Sequence, residues 1–240
     1  YFAAEAALAG VTVDAGSDAF SPFSPAELHQ VADPRRRLRL TFDHPLDPAW
    51  RFASPAAVRR EPTSARLVIA ASDLDGPWAT LPLTWDGGPI LVRVELDVTA
   101  MEYSSDLRVR LAAGEETAVE TRLLTTGGDG ALARFFDDMD GPVGSIGDAP
   151  AEAPLHVSFT IALAPDAGRV TIFSRADDRS FRRDLKLRRA LAGAPLRLEL
   201  GGRQADRPSG QFRGTLQEVE LIGLRPGAPP DEPRARAVAA

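Results

Sequence analysis

Apolar and polar residues alternate along short runs of this chain. In residues 92–98, aliphatic side chains take the even positions and charged ones the odd positions, with Val92, Val94, Leu96 and Val98 opposed to Arg93, Glu95 and Asp97. The same period of two recurs in residues 107–111, 155–163 and 196–200. Successive side chains of a β-strand point to opposite faces. Each run therefore predicts a strand with one face on a core and one polar face.

Ten such strands are predicted, separated by turn signals rich in glycine, aspartate and proline. They lie near residues 37–42, 66–71, 78–85, 90–98, 106–112, 117–125, 155–163, 168–174, 195–200 and 211–222. Many short strands with regular turn signals are typical of sandwiches. The chain is therefore predicted to be all-β, a two-sheet antiparallel jelly-roll sandwich.

The segments that flank the strands predict the domain organisation. Residues 1–34 form a leader or docking segment, in which Ser24 as N-cap and Pro25 in the first turn predict a short helix. Residues 35–225 form the sandwich. Residues 226–240 are rich in proline and charge and predict an extended tail.

Composition excludes several classes of function. The 240-residue chain has no cysteine, which excludes a disulfide framework, a thiol nucleophile and a cysteine-ligated metal. Its formal net charge of −6 argues against a nucleic-acid partner, because a backbone binder needs a positive face. One lysine, Lys186, stands against 27 arginines, and asparagine is absent, a usage typical of a high-GC bacterial genome.

The first residues suggest a location outside the cytoplasm. Residues 1–10 are apolar and helix-prone but too short to span a bilayer. Ala7-Leu8-Ala9 is similar to a signal-peptidase site, and the alternatives are the end of an upstream transmembrane helix or a docking helix. We expect a signal or transmembrane segment upstream of this chain. The expected location is extracytoplasmic, periplasmic or at the cell surface, or membrane-associated, in a bacterium.

Three stretches resemble the laminin-G-like and concanavalin-like sandwich domains. They are ILVRVELDV with LRVRL, then HVSFTIALAPDAGRVTIF, and finally LRLELGG with FRGTLQEVELIGL. The resemblance implies a hairpin with its turn at Ala164–Gly168, and a closing hairpin over Pro195–Leu224. Its last strand follows Phe212-Arg213-Gly214. Domains of this kind serve sugar binding, adhesion or glycoside hydrolysis, so the fold alone does not decide function.

The resemblance also implies where a hydrolase would carry its acids. Retaining glycosidases of this fold have Glu-x-Asp-x-Glu, or the same with one extra residue, on one strand, which puts the carboxylates on one side. Glu95 and Asp97 begin that pattern, but the next acid is Glu102, five residues after Asp97. The incomplete motif predicts that the chain is not an enzyme. The simpler expectation is a solvated face of cross-strand ion pairs that involve Arg93, Arg108 and Arg110.

A sugar site and a calcium site are the remaining candidates. Aromatic rings stack on sugars while carboxylates hold the hydroxyls. Trp85, Asp86 and Tyr103 with Glu95 and Asp97 are therefore the predicted ligand-binding residues. Residues 126–153 predict a long loop rich in glycine and aspartate. Within it, Asp138 and Asp140 precede a glycine with the spacing that begins a calcium loop, so they are the predicted metal ligands. No other cofactor is expected.

These observations leave three hypotheses. The first is a non-catalytic binding module of laminin-G-like type that recognises a glycan or a protein partner. The second is a structural accessory subunit whose leader and tail dock in a larger membrane-associated assembly. The third is a glycoside hydrolase with an incomplete motif.

Overall fold

A computed structural model describes most of the sandwich. It covers residues 32–40, 49–52, 58–60, 67–70, 76–83, 85, 87–101, 106–114, 116–126, 132–137, 144–150, 154–165, 168–176, 179–187, 195–203 and 212–224. Every regular element within these ranges is a β-strand. The predicted leader helix at Ser24, the rest of the leader up to residue 31, and the tail lie outside the described residues.

The described ranges hold fifteen strands. They are β1 (Ala32–Leu40), β2 (Arg51–Phe52), β3 (Val58–Arg60), β4 (Leu67–Ala70), β5 (Gly76–Leu83), β6 (Ile90–Met101), β7 (Asp106–Ala113), β8 (Glu116–Thr126), β9 (Leu132–Asp137), β10 (Gly144–Pro150), β11 (Leu155–Ala164), β12 (Arg169–Ala176), β13 (Arg179–Lys186), β14 (Leu196–Arg203) and β15 (Phe212–Leu224).

The strands form two antiparallel sheets. Sheet A has the order β13-β12-β11-β6-β15-β4-β3, and β1 also pairs with β15. Sheet B has the order β10-β9-β8-β7-β14-β5-β2. The described region is thus a two-sheet antiparallel sandwich, which confirms the predicted fold class.

The core lies between the sheets and is built from the apolar positions of the alternating runs. These side chains are at most 1% exposed and comprise Val92, Val94, Leu96, Val98, Val157, Phe159 and Ile161 from sheet A with Leu107, Val109, Leu111, Leu196, Leu198 and Leu200 from sheet B. Burial of each large aliphatic side chain stabilises the fold by about 1.5–3 kcal/mol. The period of two therefore identified the core faces of β6, β7, β11 and β14.

The turn between β11 and β12 agrees with the prediction. Gly168 has a φ of 61°, a conformation that glycine adopts without strain. Its N–H donates to the carbonyl oxygen of Pro165 at 3.1 Å. The two strands then pair from Val157 opposite Ala176 to Ala164 opposite Arg169.

The closing hairpin predicted over Pro195–Leu224 is wrong. Both strands exist, but β14 pairs with β5 and β7 in sheet B, whereas β15 pairs with β1, β4 and β6 in sheet A. The two strands therefore belong to different sheets. Alternation shows that a strand has one apolar and one polar face, but it does not determine which sheet the strand joins.

The long loop predicted at residues 126–153 is also wrong. This segment contains β9 and β10, which pair with each other, and β9 extends sheet B by pairing with the second half of β8. Glycine and aspartate are depleted in strands, so their abundance concealed a hairpin. In addition, β1 begins at Ala32, inside the predicted leader.

No helix among the described ranges is long and apolar enough to cross a membrane.

Candidate functional site

The polar side chains of β6 gather on one surface of the sandwich. Because Val92 to Val98 turn their even-numbered side chains to the core, Arg93, Glu95 and Asp97 point away from sheet B. We call this side of β6, β11, β12 and β15 the outer face of sheet A. Neighbouring strands place more polar residues beside them.

Three rows of paired residues cross this face. Arg93 lies opposite Glu220 on β15 and Thr160 on β11. Glu95 lies opposite Glu218 and Ser158, and Asp97 lies opposite Thr215 and His156. Residues directly opposite each other have Cβ atoms about 4.5–5.5 Å apart, so the face is a continuous polar array.

Arg93 is shared by three glutamates. Its Nη2 lies 2.5 Å from Oε2 of Glu220 and 3.6 Å from Oε1 of Glu218, and its Nε lies 3.6 Å from Oε1 of Glu95. Glu220 is 0% exposed and Arg93 is 7% exposed. We call these four residues the Arg93 cluster. It holds three carboxylates against one guanidinium, so its formal charge is negative.

Glu95 lies at the border of the Arg93 cluster. Burial raises the pKa of its carboxyl, while Arg93 lowers it, Glu218 raises it, His156 lowers it and Glu220 raises it further. The balance is a pKa above the ordinary value, because desolvation disfavours the charged form more than Arg93 favours it. Glu95 therefore accepts a proton more readily than an exposed glutamate does.

Asp97 organises the more exposed end of the same face. Its Oδ1 lies 2.8 Å from Nδ1 of His156, and its Oδ2 accepts a hydrogen bond from the Gln217 amide. Since a carboxylate only accepts, Nδ1 carries the hydrogen of that contact. The His156 and Asp97 side chains are 41% and 35% exposed. Solvent therefore reaches Asp97, His156 and Gln217, which we call the Asp97 array.

Two hydroxyl groups beside the array retain unused hydrogen-bonding capacity. Ser158 Oγ and Thr160 Oγ1 are fully buried and have no hydrogen-bond partner among the described residues. Both belong to the outer face, next to Glu95 and Arg93 respectively. An unsatisfied buried hydroxyl costs about 1–3 kcal/mol. These two hydroxyl groups therefore add polar atoms to the face without contributing to its ion pairs.

No protein-family model matches the chain, and no curated protein matches its sequence. Solved structures do share its architecture. Peanut lectin, solved with a nine-residue peptide, has a TM-score of 0.54 at 9% identity over 79% of this chain and 97% of that one. The CBM2 module of the evolved Dit of Lactobacillus casei BL23 phage J-1 has a TM-score of 0.54 at 6% identity over 79% and 96%. GH43B of the Bacteroides ovatus xyloglucan PUL has a TM-score of 0.58 at 10% identity, over 78% of this chain but only 39% of that longer one.

The chain has the concanavalin-like jelly-roll fold. At identities of 6–10% the likeness establishes the fold alone. Ligand and activity have to be argued from the side chains of the concanavalin-like sandwich itself.

The sandwich brings together only some of the predicted ligand-binding residues. Glu95 and Asp97 lie side by side on its outer face. Trp85 belongs to the loop that enters β6 at Ile90, where its ring packs against the core and its Nε1 donates to the Gly88 carbonyl at 2.7 Å. Asp97 lies seven residues beyond Ile90, about 23 Å along the strand. Trp85 therefore lies before the start of β6, whereas Glu95 is in the middle of the strand and Asp97 in its second half.

The other predicted site residues, Asp86, Tyr103, Asp138 and Asp140, lie outside the described residues, so their roles stay predictions. Within the described part of the sandwich, no group of three or more histidine or acidic side chains could hold a metal ion. The calcium site likewise stays a prediction.

His156, Gln217 and Glu218 are site residues that the sequence analysis missed. Each comes from β11 or β15 and reaches the acids of β6 only through strand pairing. Alternation along β11 and β15 could have shown that these residues lie on the polar face of each strand. The partner strand and its register were the missing information.

The predicted ion pairs of the arginines are confirmed, but two of the three arginines, Arg93 and Arg108, are buried instead of lying on a solvated face. On the outer face of sheet B, Arg110 contacts Glu120 at 2.7 Å and Glu199 at 3.4 Å, while Arg108 contacts Glu120 at 3.5 Å. Arg93 and Arg108 are each 7% exposed. The Arg93 cluster is therefore buried, whereas the network on sheet B is buried at Arg108 and Glu120 and one third exposed at Arg110.

Proposed function

We propose that this chain is a non-catalytic binding module of laminin-G-like type that recognises a glycan through the Asp97 array. The observation that carries the proposal is the solvent-accessible set of carboxylate, imidazole and amide groups at Asp97, His156 and Gln217. Together these groups donate and accept hydrogen bonds, as recognition of sugar hydroxyls requires. Glu95 extends the array toward the buried Arg93 cluster.

The structural neighbours also support glycan binding. Two of them are lectins and one is a CBM2 module, and the similarity covers 79% of this chain and 96–99% of each of those chains. The arginine-rich, asparagine-free composition supports a bacterial source. The proposed location is outside the cytoplasm or at a membrane surface, where polysaccharides are met. A role as an accessory subunit in a larger assembly is the alternative.

Glycoside hydrolysis is the second candidate, on one specific observation. Glu95 and Glu218 are directly opposite on β6 and β15, and retaining glycosidases hold two carboxyl groups about 5–5.5 Å apart. Arg93 contacts both carboxylates at 3.6 Å, and Glu218 is 8% exposed. An ion-paired and buried carboxylate is poorly placed to attack a substrate, so binding is the preferred function.

An array of neutral and acidic oligosaccharides tests the proposal. We expect a defined subset of glycans to bind, and we expect His156→Ala and Gln217→Ala each to weaken that binding at least tenfold. Arg51→Gln is the matched control, because Arg51 is an exposed residue of β2 in sheet B. A flat array would contradict glycan binding, and unchanged binding by both variants would contradict this site.

The same glycans distinguish binding from hydrolysis. A binding module releases no reducing ends from any glycan that it retains. Turnover that Glu95→Gln and Glu218→Gln both abolish, with binding preserved, would establish the hydrolase instead.

A further inference from the structure

A strongly basic segment borders sheet A at the side remote from β15. Residues 169–189 carry eight cationic and three acidic residues, including the chain's one lysine, while the whole chain has a net charge of −6. The segment covers β12 and β13. Such a charge asymmetry is a physical argument for an anionic partner at this place.

The strand β13 (Arg179–Lys186) is the terminal strand of sheet A. It pairs with β12, and no other strand in the described part of the chain forms a ladder with it, although β10, the terminal strand of sheet B, also contacts it. Arg183, Asp184 and Lys186 are exposed. An edge strand presents backbone N–H and C=O groups that another strand can pair with.

The acidic residue of this strand is already engaged within the sheet. Asp184 accepts a hydrogen bond from Thr171 Oγ1 at 2.7 Å and forms an ion pair with Arg182 at 3.1 Å. The guanidinium of Arg182 also lies 5.6 Å above the centre of the Phe173 ring. Asp184 and Arg182 therefore secure the strand to β12, and the strand retains a net charge of +3.

The cations of β13 lie on both sides of the strand. Arg182 and Lys186 are opposite Phe173 and Arg169, whereas Arg183 is opposite Ile172, which faces the core side. A flat anionic membrane would meet only one of these sides. An extended peptide has side chains that alternate in the same way, so it can present acids to both.

A second copy of this chain is a poor occupant of the edge. Antiparallel self-pairing about the middle of β13 would put Arg182 against Arg183 and Arg179 against Lys186. Like charges directly opposite in a sheet are destabilising. Charge complementarity instead favours a partner strand that carries aspartate or glutamate.

We infer that the β13 edge is a second binding site, at which an extended acidic segment of a partner protein adds as the next strand of sheet A. Backbone hydrogen bonds hold such a strand, and side-chain charge selects it. The inference stands independently of the glycan site, because it uses neither the Asp97 array nor the Arg93 cluster.

Labelled eight-residue peptides test the inference by fluorescence anisotropy. The probe alternates glutamate with valine or threonine, and two control peptides carry either lysine for glutamate or N-methyl groups at alternate amides. We expect the acidic probe to bind, the lysine peptide not to bind, and the N-methylated peptide to bind at least tenfold more weakly. Equal binding of the acidic and N-methylated peptides would overturn strand addition, since charge alone would then suffice.

Charge-reversal variants locate the site. We expect Arg183→Glu and Lys186→Glu each to lower the affinity for the acidic probe at least tenfold, while glycan binding is retained. Arg51→Glu is the matched control, because Arg51 is an exposed cation on the terminal strand of sheet B. Unchanged binding by both β13 variants would overturn the assignment.

Anionic vesicles and a sulfated oligosaccharide complete the comparison. If either binds to this edge and the acidic peptide does not, the protein-partner assignment is wrong. Protection of β13 amides from hydrogen exchange on addition of the probe is the expected direct signature, and its absence despite binding would contradict strand pairing.

Discussion

Glu95 shows how one residue links burial to charge. Its carboxyl lies among Arg93, Glu218, Glu220 and His156, and burial raises its pKa above the ordinary value of a glutamate. The folded state therefore binds a proton at Glu95 more tightly than the unfolded chain does. This contribution to stability is greatest when Glu95 is protonated, and it decreases as the pH rises through the raised pKa.

The first prediction follows from the raised pKa of Glu95, which makes its charged form unfavourable in the folded state at neutral pH. Glu95→Gln removes a desolvated charge and its repulsion by Glu218 and Glu220, while Arg93 keeps two carboxylate partners. We expect the variant to have a higher free energy of unfolding than the wild type at pH 7, and we expect the difference to shrink toward zero near pH 4.5. Urea denaturation at the two pH values measures it.

Glu220→Gln is the contrasting variant. It removes the partner that lies 2.5 Å from Arg93, and breaking a buried pair costs about 3–5 kcal/mol. A loss of stability at pH 7 is therefore expected for Glu220→Gln, opposite to the gain for Glu95→Gln. Equal losses for the two variants would refute the account of Glu95.

Only some residues of the candidate site could be predicted from the sequence, and the reason is physical. Glu95 and Asp97 could be chosen from the sequence, because alternation along one strand shows which residues share a face. His156 and Gln217 could not, because their proximity to Asp97 depends on how β11 and β15 pair with β6. Strand register is decided by packing across the whole sheet.

The turn at Gly168 provides a test at the scale of one element. Its φ of 61° is strained for residues with a Cβ, although nothing lies within 4 Å of the position a Cβ would occupy. We expect Gly168→Ala to destabilise the protein by about 1–2 kcal/mol through backbone strain alone. Gly168→Asn is the matched control and should cost less, because asparagine tolerates this conformation. Thermal unfolding compares the two, and equal costs would show that strain is not the cause.

The elements that the sequence failed to predict share a property. The strands β6, β7, β11 and β14 have clean alternation and were found near their true positions. By contrast, β10 and β13 are terminal strands of sheet B and sheet A, and β9 lies directly inside β10. Edge strands bury little apolar surface, so charged residues and glycine replace the hydrophobic pattern. Their strand character comes from pairing with a neighbour.

At the scale of the whole molecule, the position of β15 is decisive. This last strand pairs with β6 along most of its length and with β1 and β4 on its other side. Its Leu216, Val219 and Leu221 belong to the core. Without β15, sheet A would be divided and its core face would be incomplete.

Truncation tests this dependence. A chain that ends at Gln211 lacks β15, and we expect it to bind a hydrophobic dye and to unfold without a cooperative transition. A chain that ends at Leu224 is the control and should keep the transition. A cooperative transition in the shorter chain would show that the remaining strands form a sufficient core.

The same position of β15 has a consequence for synthesis of the protein. A ribosome adds about 5–20 residues each second, so β15 follows β6 after about 6–24 s. During that interval one edge of β6, a strand of twelve residues with one apolar face, has no native partner on the nascent chain. Chaperones or wrong strands can compete for that edge until translation reaches Leu224. The delay predicts that mutations in β15 reduce the yield of folded protein in the cell more than equally destabilising mutations in β12, whose partners β11 and β13 directly precede and follow it in the chain.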